Sequence, residues 1–125
     1  MSDESQHHPK SAPRSLRPEE VRVLAALLGS SPTATDHSVL VEDMADGGMG
    51  SIRFARISGE SRSLSKAIAK AEYVDADGVL VSIVVNIDEQ GDLYELDFWK
   101  VDFSPLREYP KPEQLQVKTG IRPHP

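Results

Sequence analysis

The chain has 125 residues, 14 Lys and Arg against 20 Asp and Glu for a formal net charge of −6, and no cysteine. That length suits one domain with its own core. The absence of thiols excludes disulfide frameworks, zinc–thiolate sites, thiol nucleophiles and iron–sulfur clusters, and fits a reducing cytoplasm.

Residues 1–14 are polar, contain prolines and show no apolar periodicity, so they are expected to form a disordered tail in which His7 and His8 are solvated. No apolar run there or elsewhere suits a signal peptide or a membrane-spanning helix. A single α+β domain is expected over residues 15–106, followed by an extended C-terminal tail over 107–125.

From Arg17 the spacing of Val21, Leu24, Ala25 and Leu28, with Leu27 beside them, predicts one amphipathic helix. Pro18 suits its first position, Glu19 and Glu20 its first turn, and Gly29 its C-terminal end. Arg17 is an unusual N-cap, and Ser15 is the better side-chain capper. Residues 30–38 read as a loop. A hairpin then joins residues 39–42 to 52–56 across DMADGGMGS, where Asp46 precedes the clustered glycines Gly47, Gly48 and Gly50.

Two four-residue turns, Asp75-Ala76-Asp77-Gly78 and Asp88-Glu89-Gln90-Gly91, predict hairpins on either side of residues 79–87. In that run Val79, Val81, Ile83, Val85 and Ile87 share one strongly apolar face, as in a central antiparallel strand under a helix. The upstream KAIAKAEYV is rich in alanine, yet the DADG turn demands a strand there. Residues 92–106, DLYELDFWKVDFSPL, hold the only Trp and two of the three Phe, and predict a long central strand ending at Ser104-Pro105. Tyr94, Leu96, Phe98, Trp99, Val101 and Phe103 are expected to supply much of the core. Their apolar parity changes midway, which predicts a bulge near Phe98-Trp99. Beyond Pro105 the chain is proline-spaced, and residues 115–117 are expected to lie extended on the domain.

Three sites could carry chemistry. Asp43, Asp46, Gly47, Gly48 and Gly50 form a loop able to present amides to an anion, but it lacks the following helix or lysine of a phosphate cradle, so a structural hairpin is the stronger reading. DADG and DEQG lack the ligand spacing of a calcium loop. Glu95 and Asp97 share a strand face at roughly 6.5–7 Å, a separation that paired carboxylate catalysts use. The same alternation also marks any sheet with one wet face, and no His or third group completes a catalytic set.

The opening LRPEE with its leucine-rich helix, DMADGGMGSIRF at residues 43–54 and ELDFWKVDFSPL at residues 95–106 together resemble a family of small uncharacterised bacterial proteins, a domain of unknown function. The resemblance covers roughly residues 15–106. Some relatives resemble immunity proteins of polymorphic toxin systems, so the likeness implies a small α+β domain that binds and neutralises a toxin, and it transfers no catalytic residue.

The fold expected is α+β: an antiparallel meander of about five strands with the N-terminal helix packed on one face. The expected function is non-catalytic protein binding, with Glu95, Asp97, Trp99, Lys100 and Asp102 as the partner-binding residues and no metal or cofactor. A chain this acidic is repelled by nucleic-acid phosphates and anionic membranes, which points to a basic protein such as a toxin domain. The alternatives are a small ligand-binding domain or enzyme using the same strand or the glycine loop, and a homo-oligomer pairing through an exposed sheet face or edge.

Overall fold

A computed structural model describes residues 12–29, 39–45, 47–55 and 63–118. The elements in chain order are β1 (Arg14–Ser15), α1 (Pro18–Leu28), β2 (Leu40–Asp43), β3 (Ile52–Phe54), β4 (Leu64–Val74), β5 (Leu80–Asp88), β6 (Leu93–Lys100), a 3-10 turn at Pro112–Gln114, and β7 (Gln116–Lys118). All strands join one seven-stranded sheet in the order β1-β2-β3-β6-β5-β4-β7, with antiparallel pairing throughout. The α+β architecture therefore holds with more strands than the expected five. The additional ones are edge strands of two and three residues, too short to show a period in the sequence. Nor is the sheet a simple meander: β4, β5 and β6 follow one another, but the β2–β3 hairpin docks on the far side of β6.

β6 occupies the middle of the sheet, as its composition predicts, but it is shorter than expected. It ends at Lys100, whose carbonyl accepts the Phe103 N–H at 2.8 Å and so closes a turn over Val101 and Asp102. Phe98 and Trp99 pair in regular register with Ile83 and Ser82, so no bulge lies there. The irregularity comes at the other end, where Asn86 and Ile87 of β5 face Glu95 and Leu93 and leave Tyr94 as the additional residue. The change of apolar parity arises because the aromatic residues divide between the two faces. Leu96 and Phe98 enter the core, while Trp99, Val101 and Phe103 are exposed.

One face of the sheet carries the core. Val41, Ile52, Phe54, Ala71, Tyr73, Val81, Ile83, Val85, Leu96 and Phe98 are buried there with Val23, Leu24 and Leu27 of α1. The buried stripe of the helix is Glu20, Val23, Leu24 and Leu27, one position out of phase with the expected stripe. Arg14 explains the rotation. Its guanidinium holds Glu20 bidentately at 3.0 and 2.9 Å and reaches Asp43 at 2.7 Å, which draws a first-turn carboxylate under the helix. Glu20 also accepts the Arg17 N–H at 2.8 Å, so the helix starts at Pro18 capped by its own third residue, and Ser15 belongs to β1 instead. Hydrogen bonds to Glu20 and Asp43 push the Arg14 guanidinium further into its charged form.

One helix cannot cover the whole face. Residues 104–115 cross the remainder as a strap: Leu106, Tyr109 and Leu115 pack on the core, Pro110 is buried, and the Tyr109 ring lies 5.3 Å from that of Phe98. β7 then pairs with β4 at Lys70, Ala71 and Glu72, so part of the expected C-terminal tail is an edge strand. At the other end Arg14 belongs to the domain, whereas residues 1–11, with His7 and His8, lie outside the described residues. So do Asp46 and the last seven residues of the chain.

Candidate binding surface

Strand alternation leaves the second sheet face without a covering layer among the described residues. Register places its side chains in cross-strand rows. One row is polar: Glu42 faces Arg53, Arg53 faces Glu95, and Glu95 faces Asn86. Arg53 binds Glu95 at 2.7 Å and lies 5.0 Å from the centroid of the Tyr94 ring, while Asn86 donates to Glu95 at 3.3 Å. The hydrogen bond to Glu95 also stabilises the charged Arg53 guanidinium. In the next row the Ser51 hydroxyl donates to Asp97 at 3.1 Å and accepts the Phe98 N–H at 2.9 Å. These carboxylates are therefore tied to neighbouring strands. Glu95 is buried, and both are used to satisfy the sheet.

Towards the end of β6 the rows turn apolar. Trp99 stands opposite Ser82; beyond it Val101, Leu80 and Val74 are neighbours across the sheet, with the Val101 N–H donating to the Leu80 carbonyl at 3.1 Å. Trp99 is 50% exposed and Phe103 61%, and Val74, Leu80 and Val101 are exposed with them. The Phe103 ring meets Trp99 edge-on at a centroid distance of 5.1 Å. Phe103 has φ +64, the only positive value among the described non-glycine residues. For a bulky side chain that conformation costs about 1–2 kcal/mol and persists only where the surroundings enforce it. Asp102 helps: one carboxylate oxygen accepts both the Ser104 N–H at 3.0 Å and the Ser104 hydroxyl at 2.7 Å, and these bonds hold its carboxyl below the usual range.

Of the five residues expected at a partner surface, Trp99 and Asp102 stand exposed. Asp97 is half-buried, and Glu95 is buried in its pairs. Lys100 is displaced altogether. As the next residue after Trp99 it points to the core face and has no exposed surface, with its ammonium 2.8 Å from Asp75, 2.7 Å from Asp77 and 3.0 Å from the Pro105 carbonyl. Burial alone would lower its pKa, but Asp75 and Asp77 more than offset this and hold it charged. Asp75 is likewise held below the usual carboxylate range: burial would raise it, but the Arg107 N–H, the Lys100 ammonium and the Ala76 and Glu108 N–H groups prevail. The DADG turn thus does more than reverse the chain, since its first carboxylate also anchors the strap at residues 107 and 108.

The glycine loop is bound into the same architecture. Gly47, Gly48 and Gly50 all have positive φ. The Leu106 N–H donates to the Gly48 carbonyl at 3.1 Å, and the space a Cβ would take at Gly48 is bounded by Pro105. Asp43 is engaged by Arg14. The described part of this loop serves as a seat for the strap, with Gly48 against Pro105 and Gly50 against Leu106. Among the described residues no group of three or more His, Asp or Glu is placed to hold a metal ion, and no helix is long and apolar enough to cross a membrane.

Sequence reasoning placed Val101 and Phe103 in the core because aromatic and β-branched residues in a strand-like run read as core, whereas both are exposed. The overlooked signal is VDFSP: Asp and Ser two apart, just before a proline, mark a side-chain-capped turn that ends the strand at Lys100.

These features define a small α+β domain with a single sheet, one face closed by a helix and a strap and the other ending in an exposed aromatic tip. Its family can be stated directly: the chain belongs to the family described as Domain of unknown function (DUF6984), whose model matches residues 13–110. That span takes in both Arg14 and the strap as far as Pro110, in agreement with their packing. Comparison with curated proteins and with solved structures found no match.

Proposed function

We propose that this domain binds another protein through the apolar end of its open sheet face. The observation that carries the reading is the Trp99–Phe103 pair: two large aromatic side chains exposed together, one of them held in a strained backbone conformation. Interface anchors are typically aromatic, and a side chain already fixed in its bound geometry loses less entropy on docking. Val74, Leu80 and Val101 extend the pair into a continuous patch. The net charge of −6 favours a basic partner, and Asp102 supplies an exposed carboxylate beside the aromatic pair. The most concrete form of the reading is neutralisation of a basic toxin domain by occlusion; the small size and acidity of the chain support it.

The test is a side-by-side pull-down with the wild-type domain and a Trp99→Ala/Phe103→Ala variant that melts normally. Support would be a stoichiometric partner that rebinds in purified form and whose affinity falls at least about tenfold in the variant, the loss expected when an anchor of 1.4 kcal/mol or more is removed. Equal binding by both proteins would place the contact elsewhere. Sedimentation as a dimer that the same variant dissociates would identify the patch as a self-contact.

A further inference from the structure

Lys100 is the last residue of β6, and the aromatic tip begins immediately after it. Its two ends grip the tip loop at different points. The backbone carbonyl accepts the Phe103 N–H at 2.8 Å, and the ammonium donates to the Pro105 carbonyl at 3.0 Å. Phe103 is therefore enclosed in a short loop whose closure at both points depends on one residue. The ammonium is in turn fixed by Asp75 at 2.8 Å and Asp77 at 2.7 Å, and Asp75 also accepts the N–H groups of Arg107 and Glu108 at 2.8 and 3.0 Å. Downstream, Glu108 is held a second time, because its carbonyl accepts the Tyr73 hydroxyl at 3.1 Å.

We infer that the cluster of buried Lys100 and Asp75 with Asp77 at its rim is a latch that positions the aromatic tip: by tying residues 105–108 to the DADG turn it keeps Phe103 in the left-handed region and its ring against Trp99. Lys100 and Asp75 are positioning residues, acting on the surface from beneath it. The physical reason is geometric. An L residue with a bulky side chain leaves positive φ when its neighbours allow, and here the next residues cannot move because Pro105, Arg107 and Glu108 are each hydrogen-bonded to the cluster. The use made of the tip rests on the binding reading above, but the latch itself is a statement about the free domain and needs no partner to test.

Trp99 is the only tryptophan in the chain, so its fluorescence and near-ultraviolet circular dichroism report on the tip directly. Removing Lys100 alone would leave the buried Asp75 carboxylate without its cation and beside that of Asp77, so the variant to make is Lys100→Met/Asp75→Asn/Asp77→Asn, which removes all three charges at nearly constant volume. With far-ultraviolet dichroism and cooperative melting retained, Trp99 in this variant is expected to lose its near-ultraviolet signal and gain acrylamide quenching to the level of Phe103→Ala. A Trp99 signal identical to wild type, while Phe103→Ala changes it, overturns the latch. No change in Phe103→Ala itself also overturns it, since there would then be no positioned pair to hold. If the triple variant does not fold, native-state hydrogen exchange on the wild type decides. The amides of Phe103, Arg107 and Glu108 should open together as one unit, and a Phe103 amide that exchanges freely while the other two remain protected refutes the coupling.

Discussion

Gly47, Gly48 and Gly50 lie within one loop, all at positive φ, yet an added methyl group meets a different environment at each. At Gly47, φ +76, a Cβ would have nothing within 4 Å, so Gly47→Ala carries only the backbone penalty of the left-handed region, about 1–2 kcal/mol. At Gly48, φ +86, the Cβ would come within 3.1 Å of the Pro105 Cβ, and a proline ring whose carbonyl is bonded to Lys100 cannot swing aside. Overpacking of this kind adds about 1–3 kcal/mol, for a total near 2–5 kcal/mol. Gly50, φ +100, faces the Leu106 Cδ1 at 3.2 Å, and that methyl can yield by rotation. Most of its cost is backbone, which places Gly50→Ala between the other two. In a domain of this size 1 kcal/mol moves the melting temperature by about 4 °C, so Gly47→Ala should melt roughly 4–8 °C below wild type and Gly48→Ala roughly 8–20 °C below. Calorimetric melting of the three single variants tests the ranking. If Gly48→Ala is no worse than Gly47→Ala, the strap does not press on the loop. If all three melt like wild type, the glycines are not needed for conformation, and the ligand-loop reading of DGGMGS gains the ground.

Trp99→Ala should cost only about 1 kcal/mol, the loss of an exposed edge-to-face contact, whereas Phe98→Ala, one residue earlier and buried, should cost about 3–5 kcal/mol by leaving a cavity; urea titrations of the two variants check the contrast. Acid should destabilise the domain through Asp75. Its folded carboxyl lies below the ordinary value of 3.8, so its contribution is present above that pH and is lost as pH falls through the lowered value. Urea midpoints at pH 7, 4 and 3 should therefore fall more steeply for wild type than for Asp75→Asn. Truncation to Ser15 should be harmful, because it removes Arg14, the bidentate partner of the buried Glu20, and leaves that carboxylate only its contacts to Arg17, a loss of about 2–4 kcal/mol that melting of chains starting at Ala12 and at Ser15 would show.

The parts of this fold legible in the sequence are those governed by local period and turn chemistry. The β4–β5–β6 hairpins follow from DADG, DEQG and the alternation of Val81, Ile83 and Val85. The hairpin around DMADGGMGS follows from its glycines. Illegible parts depend on partners distant in sequence. Arg14 reads as the end of a polar tail until Glu20 and Asp43 are brought to it, and the helix stripe is misphased for the same reason. Lys100 reads as one more charge on a wet strand face, since parity shows that it alternates with Trp99 but not which of the two lies inside. A lysine on the core side becomes plausible only once the carboxylates of Asp75 and Asp77 are known to lie beneath it.

The place of β6 has a consequence for how the chain reaches this structure. On one side β6 completes a meander whose strands are joined by four-residue turns, so those contacts close small loops. On its other side only Ile52 with Leu96 and Arg53 with Glu95 are in register, and each of these pairs links segments more than forty residues apart. Closing such a loop costs more entropy and returns fewer contacts per residue ordered. The meander should then form the folding nucleus, and the β2–β3 hairpin, carrying its glycine loop to the strap, should dock after the rate-limiting barrier. In mutational kinetics, truncation of Ile83 or Val85 should slow folding, while truncation of Val41 or Ile52 should mainly hasten unfolding. The late-closing seam then lies along the centre of the finished sheet, not at its edge.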